Sequence, residues 1–316
     1  MKYKKAILSY PNSKNLGDYI QSIAAKKFID EDAICIDREK LNTYNGDKVK
    51  LIMNGWFMQN PNNWPPSNKI KPLFISFHIN PTAKNTMLSE ESIKYFKKHQ
   101  PIGCRDIYTK KILASKGIKS YFSGCLTITI TNRNAYKKEG ILVLSALDRI
   151  TPSINKQINF NIIFSLNFLI KCFKAPFKTI SYYIAKKRLN KFLNRQNSKI
   201  TFASQIINKK YSEEKLFSLA QNQLNLIAKS ELVITSRIHT ALPAISLGTK
   251  VIFILDGLEH PNQRSRIEGL SDYFFSCRAK DLLKTDFKKK VLKKDLKVLR
   301  SRLIEKATDF FNKDDE

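Results

Sequence analysis

Leu232-Val-Ile-Thr-Ser-Arg-Ile-His-Thr-Ala-Leu-Pro-Ala-Ile-Ser-Leu-Gly-Thr-Lys-Val-Ile-Phe-Ile254 is the stretch that decides how this chain is read. Two β-branched apolar runs, residues 232–235 and 251–254, flank a short helical pattern that starts near Thr235 or Ser236 and ends at Gly248. A strand–helix–strand unit of this length is a parallel crossover. It places Ser236, Arg237 and His239 at the carboxyl end of a strand and in the first turn of a helix, where open α/β sheets take their ligands. Amides at a helix start favour anions. Arg237 can hold a carboxylate or phosphate through two parallel hydrogen bonds, and His239 can carry a proton near neutral pH. The turn suits an anionic substrate undergoing proton transfer. The alternative reading makes Arg237 a structural partner and His239 a packed ring.

The 316 residues accommodate two domains of ordinary size. A hydrophobic content of 42% and a charged content of 26% are those of a soluble globular chain. The sign of the charge is unusual: 56 Lys and Arg stand against 27 Asp and Glu, a formal net charge of +29. Such a field attracts polyanions, whether nucleic acid, anionic lipid surfaces or phosphorylated substrates. Abundant Lys, Asn and Ile along the whole chain offer a purely compositional source for part of it. No helix-turn-helix, zinc-finger or aromatic-basic RNA signature accompanies the charge, so no specific nucleic-acid partner is expected. Cys35, Cys104, Cys125, Cys172 and Cys277 lie far apart without a CxxC pair. That argues against a disulfide scaffold or a zinc site and suits a reducing cytoplasm; no metal is expected. Residues 1–10 read as a first strand and not as a secretion signal, and no run of eighteen apolar residues marks a membrane span.

Elsewhere the pattern alternates. Strands are expected at 6–10, 33–36, 49–53, 73–77, 102–105 and 121–122, with helices at 15–29, 89–97 and 106–116. Gly124–Thr129 reads as a further strand on which Thr127 and Thr129 share one face. A second series has strands at 141–146, 200–203 and 273–276, a long helix at 213–228, and the opening motif. This alternation makes an α/β protein with doubly wound parallel sheets. The boundaries drawn are 1–138 for the first domain, 139–290 for the second, and 291–316 for a C-terminal helix, where Leu296, Leu299 and Leu303 recur on one face and pack back across the domains. Residues 155–195 break the pattern. Phe173, Phe177, Ile180 and Ile184 recur at helical spacing while Lys171, Lys174 and Lys178 line another face, and Pro176 kinks or starts the helix. This basic amphipathic insertion suits either the surface of an anionic membrane or a domain helix packed on its own sheet.

Four stretches, in order, resemble the polysaccharide pyruvyl transferase family. They are Asn15-Leu-Gly-Asp18, Gly103-Cys-Arg-Asp106, Gly124-Cys-Leu-Thr-Ile-Thr129, and Thr235-Ser-Arg-Ile-His239 with the Leu-Pro and Leu-Gly that follow it. The last is specific as a string; the others carry weight only together. The resemblance skips roughly residues 150–198. It implies two Rossmann-like domains facing a cleft, as in glycosyltransferases of the B type. It also implies transfer of a pyruvyl group from phosphoenolpyruvate to two hydroxyls of a sugar, giving a cyclic ketal and free phosphate. No cofactor is implied beyond phosphoenolpyruvate as co-substrate. Its carboxylate and phosphate need converging cations, for which Arg237 and Arg105 are the candidates, with Ser236 and Arg266 as further donor contacts. His239 is the titratable group for proton transfer. On the acceptor side stand Asn15, Asp18 and His78, although Asp18 suits a helix cap equally well. Asp106 reads as a cap or as the partner that orients Arg105, and Cys125 as a small buried residue.

The implied setting is a cytoplasmic enzyme held at the inner face of the membrane, acting on a lipid-linked precursor of a surface polysaccharide in the cell envelope. The rival reading keeps the architecture but takes a nucleotide sugar as donor, with Glu259 or Glu268 as the ribose-binding carboxylate.

Overall fold

The apolar runs form strands β1 (Lys4–Ser9), β2 (Ile34–Asp37), β3 (Val49–Ile52), β4 (Gly55–Phe57), β5 (Ile70–Leu73), β6 (Phe77–Ile79), β7 (Ile102–Cys104) and β8 (Ser120–Phe122) in the first part of the chain. β9 (Ile141–Leu144), β10 (Ile200–Ala203), β11 (Leu232–Thr235), β12 (Lys250–Ile254) and β13 (Phe275–Cys277) follow. Between them lie helices α1 (Leu16–Lys26), α2 (Lys84–Met87), α3 (Glu90–Lys98), α4 (Ile107–Ala114), α5 (Leu166–Leu193), α6 (Glu213–Lys229), α7 (Ile238–Ser246) and α8 (Pro261–Arg264), with α9 (Lys297–Asn312) last. The computed structural model describes residues 3–29, 32–131, 136–152, 166–284 and 295–313, leaving aside the side chains of 166–178 and 261–262. The expected insertion falls partly outside these residues, as do Phe173, Phe177 and the lysines at 171, 174 and 178 as side chains.

Every strand pair is parallel. The sheet orders are β2-β1-β3-β5, β4-β6-β7-β8 and β10-β9-β11-β12-β13. β9 and β11 are buried along their whole length, as parallel strands covered on both faces must be. The first two sheets are pieces of one surface, because β3 leads into β4 and β5 into β6 across short breaks. The single strand expected at 73–77 is therefore two strands in different sheets. Ser76 adopts φ 58°, a left-handed value that no strand accommodates, and its backbone N–H is held by Ser123 Oγ at 2.9 Å. The break at residue 54 is tied in the same way: the Asn54 amide donates to the Gln21 carbonyl at 2.9 Å.

Two further expectations are corrected. The Gly124–Thr129 stretch is not a strand. Gly124 turns the chain with φ 70°, and Leu126–Thr129 forms a 3₁₀ turn in which Thr129 Oγ1 donates to the Leu126 carbonyl at 2.8 Å. Thr127 and Thr129 are both buried. Nor does a helix begin at Pro176, since α5 runs through it from Leu166 to Leu193. No helix among the described residues is long and apolar enough to cross a membrane.

The apolar core does not respect the division between the two halves. One cluster joins Ile7 of β1, Ile52 of β3 and Ile75 from the break between β5 and β6 to Leu142, Val233 and Phe253 of the third sheet. Leu303, Ala307 and Phe311 of α9 close the same cluster, and Arg300 Nε of that helix donates to the Ile128 carbonyl at 3.0 Å. α1 and α6 pack together across the same seam, with the Tyr19 and Phe217 rings edge to face at 5.1 Å between centroids.

A polar clasp crosses the seam beside them. Gln205, buried at the end of β10, donates from Nε2 to Asn15 Oδ1 at 2.7 Å, while its Oε1 accepts from Thr240 Oγ1 at 2.5 Å and Gln223 Nε2 at 3.3 Å. Gly17 makes room for it, since a Cβ there would lie 2.4 Å from Gln205 Nε2. Helix propensity alone makes Gly17→Ala stabilising by up to about 1 kcal/mol. Displacing a buried amide from its partners costs roughly 1–3 kcal/mol per orphaned group. Gly17→Ala therefore lowers the midpoint of thermal unfolding, and adding Gln205→Ala recovers part of the loss. A higher midpoint for the single variant would show that the clasp yields freely.

Candidate functional site

The carboxyl ends of the strands point to one region. β4 carries Trp56, β6 carries His78 and β7 runs into Arg105. β11 runs into Ser236 and Arg237, and the first turn of α7 carries His239. The Ser265–Ile267 turn adds Arg266, and the first turn of α1 adds Asp18. Asp18, Trp56, His78 and Arg266 line a cleft of about 570 Å³ together with Lys14, Ile206 and neutral polar side chains from both halves.

Arg105 lies beside this cleft but does not reach its surface. It is 0% exposed, and none of its three guanidinium nitrogens has a hydrogen-bond partner among the described residues. Among the described residues its ionic partner is Asp106, whose Oδ2 lies 3.5 Å from Arg105 Nε. Asp106 caps α4, accepting on Oδ1 from the Thr109 N–H and hydroxyl, each at 2.9 Å. Its Oδ2 stands 2.5 Å from His78 Nδ1. Burial opposes ionisation of Asp106, but His78, Arg105 and the Thr109 amide together hold its carboxyl below the usual range. His78 is pushed down to about 4 by burial, with Arg105 and Arg266 adding to the effect and Asp106 opposing it. It is a neutral imidazole at pH 7.

His239 is buried, and its Nε2 has no hydrogen-bond partner. Burial first, then Arg105, Arg266 and His78, lower its pKa well below 6.5. The proton expected near neutral pH is therefore absent while those cations are uncompensated. Arg237 is half-buried, donates from NH2 to Asp148 Oδ2 at 3.1 Å and leaves Nε without a partner. The Ser236 hydroxyl donates to the Ser145 carbonyl at 2.8 Å. Asn15 caps α1 through the Gly17 N–H at 3.1 Å and also receives Gln205. Asp18 accepts from Ser13 Oγ at 2.5 Å and from the Trp56 indole N–H at 3.3 Å.

Sequence reading missed Arg149. It is half-buried among these cations and donates from Nε to the Ser236 carbonyl at 3.1 Å and from NH1 to Gln263 Oε1 at 2.6 Å. Burial, then Arg266 and Arg237, lower its pKa to about 9; burial and then Arg105 lower that of Arg266 to about 10. Both stay charged at pH 7. Asp148-Arg149 follows β9 at the carboxyl end, where a ligand-binding position is expected, so a signal was present. Gln205 holds the same place after β10.

Four arginines thus converge with two neutral histidines and three aspartates. Such a set attracts a small dianion or trianion and can exchange a proton with it. Cys125, buried and hydrogen-bonded to Thr127 Oγ1 at 3.2 Å, has its thiol pushed up by burial and is no nucleophile. Glu268 and Glu259 do not line the cleft; they pair with Lys111 at 3.1 Å and Arg278 at 3.7 Å.

No curated protein matches the chain. A solved structure that it resembles is the crystal structure of an uncharacterized protein from Klebsiella pneumoniae subsp. pneumoniae. The two are 12% identical with a TM-score of 0.42 over 85% of this chain and 88% of that one. The model of the polysaccharide pyruvyl transferase family matches residues 15–256. That span runs from the cap of α1 past the end of β12 and takes in nearly every strand end described above. The chain belongs to the polysaccharide pyruvyl transferase family and is a transferase enzyme.

Proposed function

We propose that the protein transfers the pyruvyl group of phosphoenolpyruvate to two hydroxyls of a sugar in a lipid-linked polysaccharide precursor, forming a cyclic ketal and releasing phosphate. The observation that carries this reading is the buried Arg105 guanidinium, without hydrogen-bond partners among the described residues, close enough to His239, whose Nε2 is likewise unpartnered, to depress its pKa. Arg105, Arg266 and Arg237 bind the carboxylate and phosphate of the donor. Their compensation by those charges raises the pKa of His239, which then holds the proton that the methylene carbon takes. One sugar hydroxyl attacks the adjacent carbon, the bond to the phosphate oxygen breaks, and the second hydroxyl closes the ketal. Of the two hydroxyl protons released, one replaces that given to the methylene and the other leaves with phosphate. Asp18 orients the attacking hydroxyl. Because Arg105 and His239 are sealed from solvent, donor entry requires the Arg266 segment or the two halves to part. The halves are read as domains 1–138 and 139–290 in the arrangement of B-type glycosyltransferases.

Membrane attachment is part of the proposal. Along α5 the buried Ala185, Leu189 and Phe192 face the third sheet, while Ile180, Tyr183 and Ile184 are 56%, 62% and 53% exposed. Exposed Lys186, Lys187, Lys191 and Arg195 follow along the same helix and its end. Apolar side chains beside such a basic stretch fit an anionic lipid surface. The test supplies phosphoenolpyruvate and a panel of lipid-linked oligosaccharides in vesicles, with and without anionic lipid. Phosphate release and the mass gain of a pyruvate ketal are followed. Neither signal across the panel sinks the reaction. Equal turnover and equal flotation with zwitterionic vesicles sinks the membrane attachment alone.

A further inference from the structure

Trp56 sits in the cleft in a setting that the reaction itself does not require. Asp37 caps the 3₁₀ turn Arg38–Lys40, and this brings the Arg38 side chain, itself buried, beneath the indole. The Arg38 guanidinium carbon lies 4.0 Å from the centroid of the Trp56 ring, and NH1 donates to the Trp56 carbonyl at 3.2 Å. Arg38 Nε donates to Glu39 Oε1 at 2.7 Å. The Glu39 carboxylate in turn accepts the backbone N–H of Gln59 at 3.1 Å and of Asn60 at 2.8 Å. One face of the indole is thus covered by a fixed planar cation, its edge N–H is held by Asp18, and the ring still lines the cleft.

We infer that the uncovered face of Trp56 is the stacking platform for the acceptor sugar, the class of ligand being a pyranose with a contiguous face of C–H groups. Aromatic rings offer such a face an apolar surface of matching size, and a ring already locked in place loses little freedom on binding. Asn12, Gln59, Asn80 and Thr82 line the same cleft, alongside the cations Lys14 and Arg266. The neutral donors and acceptors among them suit hydroxyls rather than charges. Asp18, bonded to the indole edge, fixes where a hydroxyl meets a carboxylate. The inference rests on the sugar-acceptor reading above, and it adds the residue that recognises the ring.

The chain has two tryptophans, so the platform can be watched directly. Trp64 is buried among Phe57, Phe77 and Phe96, and its indole N–H has no partner, so Trp64→Phe leaves no polar orphan. In that variant Trp56 alone fluoresces. The probes are methyl glycosides of galactose, glucose and mannose, titrated separately from phosphoenolpyruvate. At least one glycoside should shift the emission saturably. Trp56→Ala, read by calorimetry, should weaken that glycoside roughly tenfold or more while phosphoenolpyruvate binds within about twofold of the parent. No shift with any glycoside overturns the inference, as does an equal loss of both ligands in Trp56→Ala. A shift with a glycoside in a protein that fails to bind phosphoenolpyruvate overturns the proposed reaction and leaves the platform standing.

Discussion

Arg105→Met lowers pyruvyl transfer by about a thousandfold while leaving the protein as stable as its parent, or more stable. The two halves of this expectation come from the same observation. Taking a guanidinium out of water costs several kcal/mol, and one ionic neighbour at 3.5 Å, with no hydrogen bond among the described residues, returns little of it. Methionine fills a similar volume without that cost, and Asp106 keeps the Thr109 amide and hydroxyl. Removing one preorganised donor to a developing anion costs on the order of 10²–10³ in rate, and a bidentate arginine supplies two. The same logic makes phosphoenolpyruvate or inorganic phosphate raise the unfolding midpoint of the parent and not of the variant, because a ligand that binds only the folded state stabilises it. The measurements are the rate of phosphate release and thermal unfolding with and without phosphate. Activity within tenfold of the parent would remove Arg105 from the donor site. A large fall in stability would make it a structural residue.

His239→Gln should lose about 10²–10⁴ in rate and, with it, a proton taken up when the donor binds. The sign follows from the neighbours. In the free protein burial, then Arg105, Arg266 and His78, keep His239 neutral far below pH 6.5. An anionic donor cancels the arginine charges, so the protonated imidazole becomes less unfavourable and the pKa rises. Calorimetric titration with phosphoenolpyruvate near pH 6.5, in buffers of different ionisation enthalpy, counts the protons absorbed. Uptake that persists in His239→Gln would assign the proton to His78 instead. Stability carries an independent mark of the same chemistry. Both histidines bind fewer protons folded than unfolded. Stability is therefore full above pH 6.5 and falls as pH drops below it, down to about pH 4 for His78. The His239 share of that slope disappears in the glutamine variant.

How much of this was legible in the sequence depends on the range of the interaction concerned. The opening motif became β11, α7 and β12 within a residue or two of its expected limits, because β-branched runs and a terminal glycine (Gly248, φ 73°) act locally. Ser89, Asp106 and Asn15 cap helices where local chemistry placed helix starts. The breaks at residues 54 and 76 were invisible, since Gln21 and Ser123, which hold them, lie dozens of positions away. Thr127 and Thr129 misled because alternation over six residues cannot separate a strand from a 3₁₀ turn whose glycine sets the direction. At the site, sequence reading identified the residue types but not their burial. Asn15, Asp18, His78 and Arg266 line the cleft, whereas Arg105 and His239 lie behind it. Arg149 and Gln205 sit after strands whose carboxyl ends were already suspected, yet they carry no motif, and only the sheet order brings them together.

The position of α9 bears on the order in which the chain is made. Leu303, Ala307 and Phe311 cover apolar side chains of β1 and β3 as well as those of the third sheet. A ribosome releases residues in sequence order, so the first half of the molecule emerges without the helix that shields part of its core. Ile7 and Ile52 must wait for α9, which is made long after them. The nascent first half is thus exposed to wrong partners until that helix has emerged.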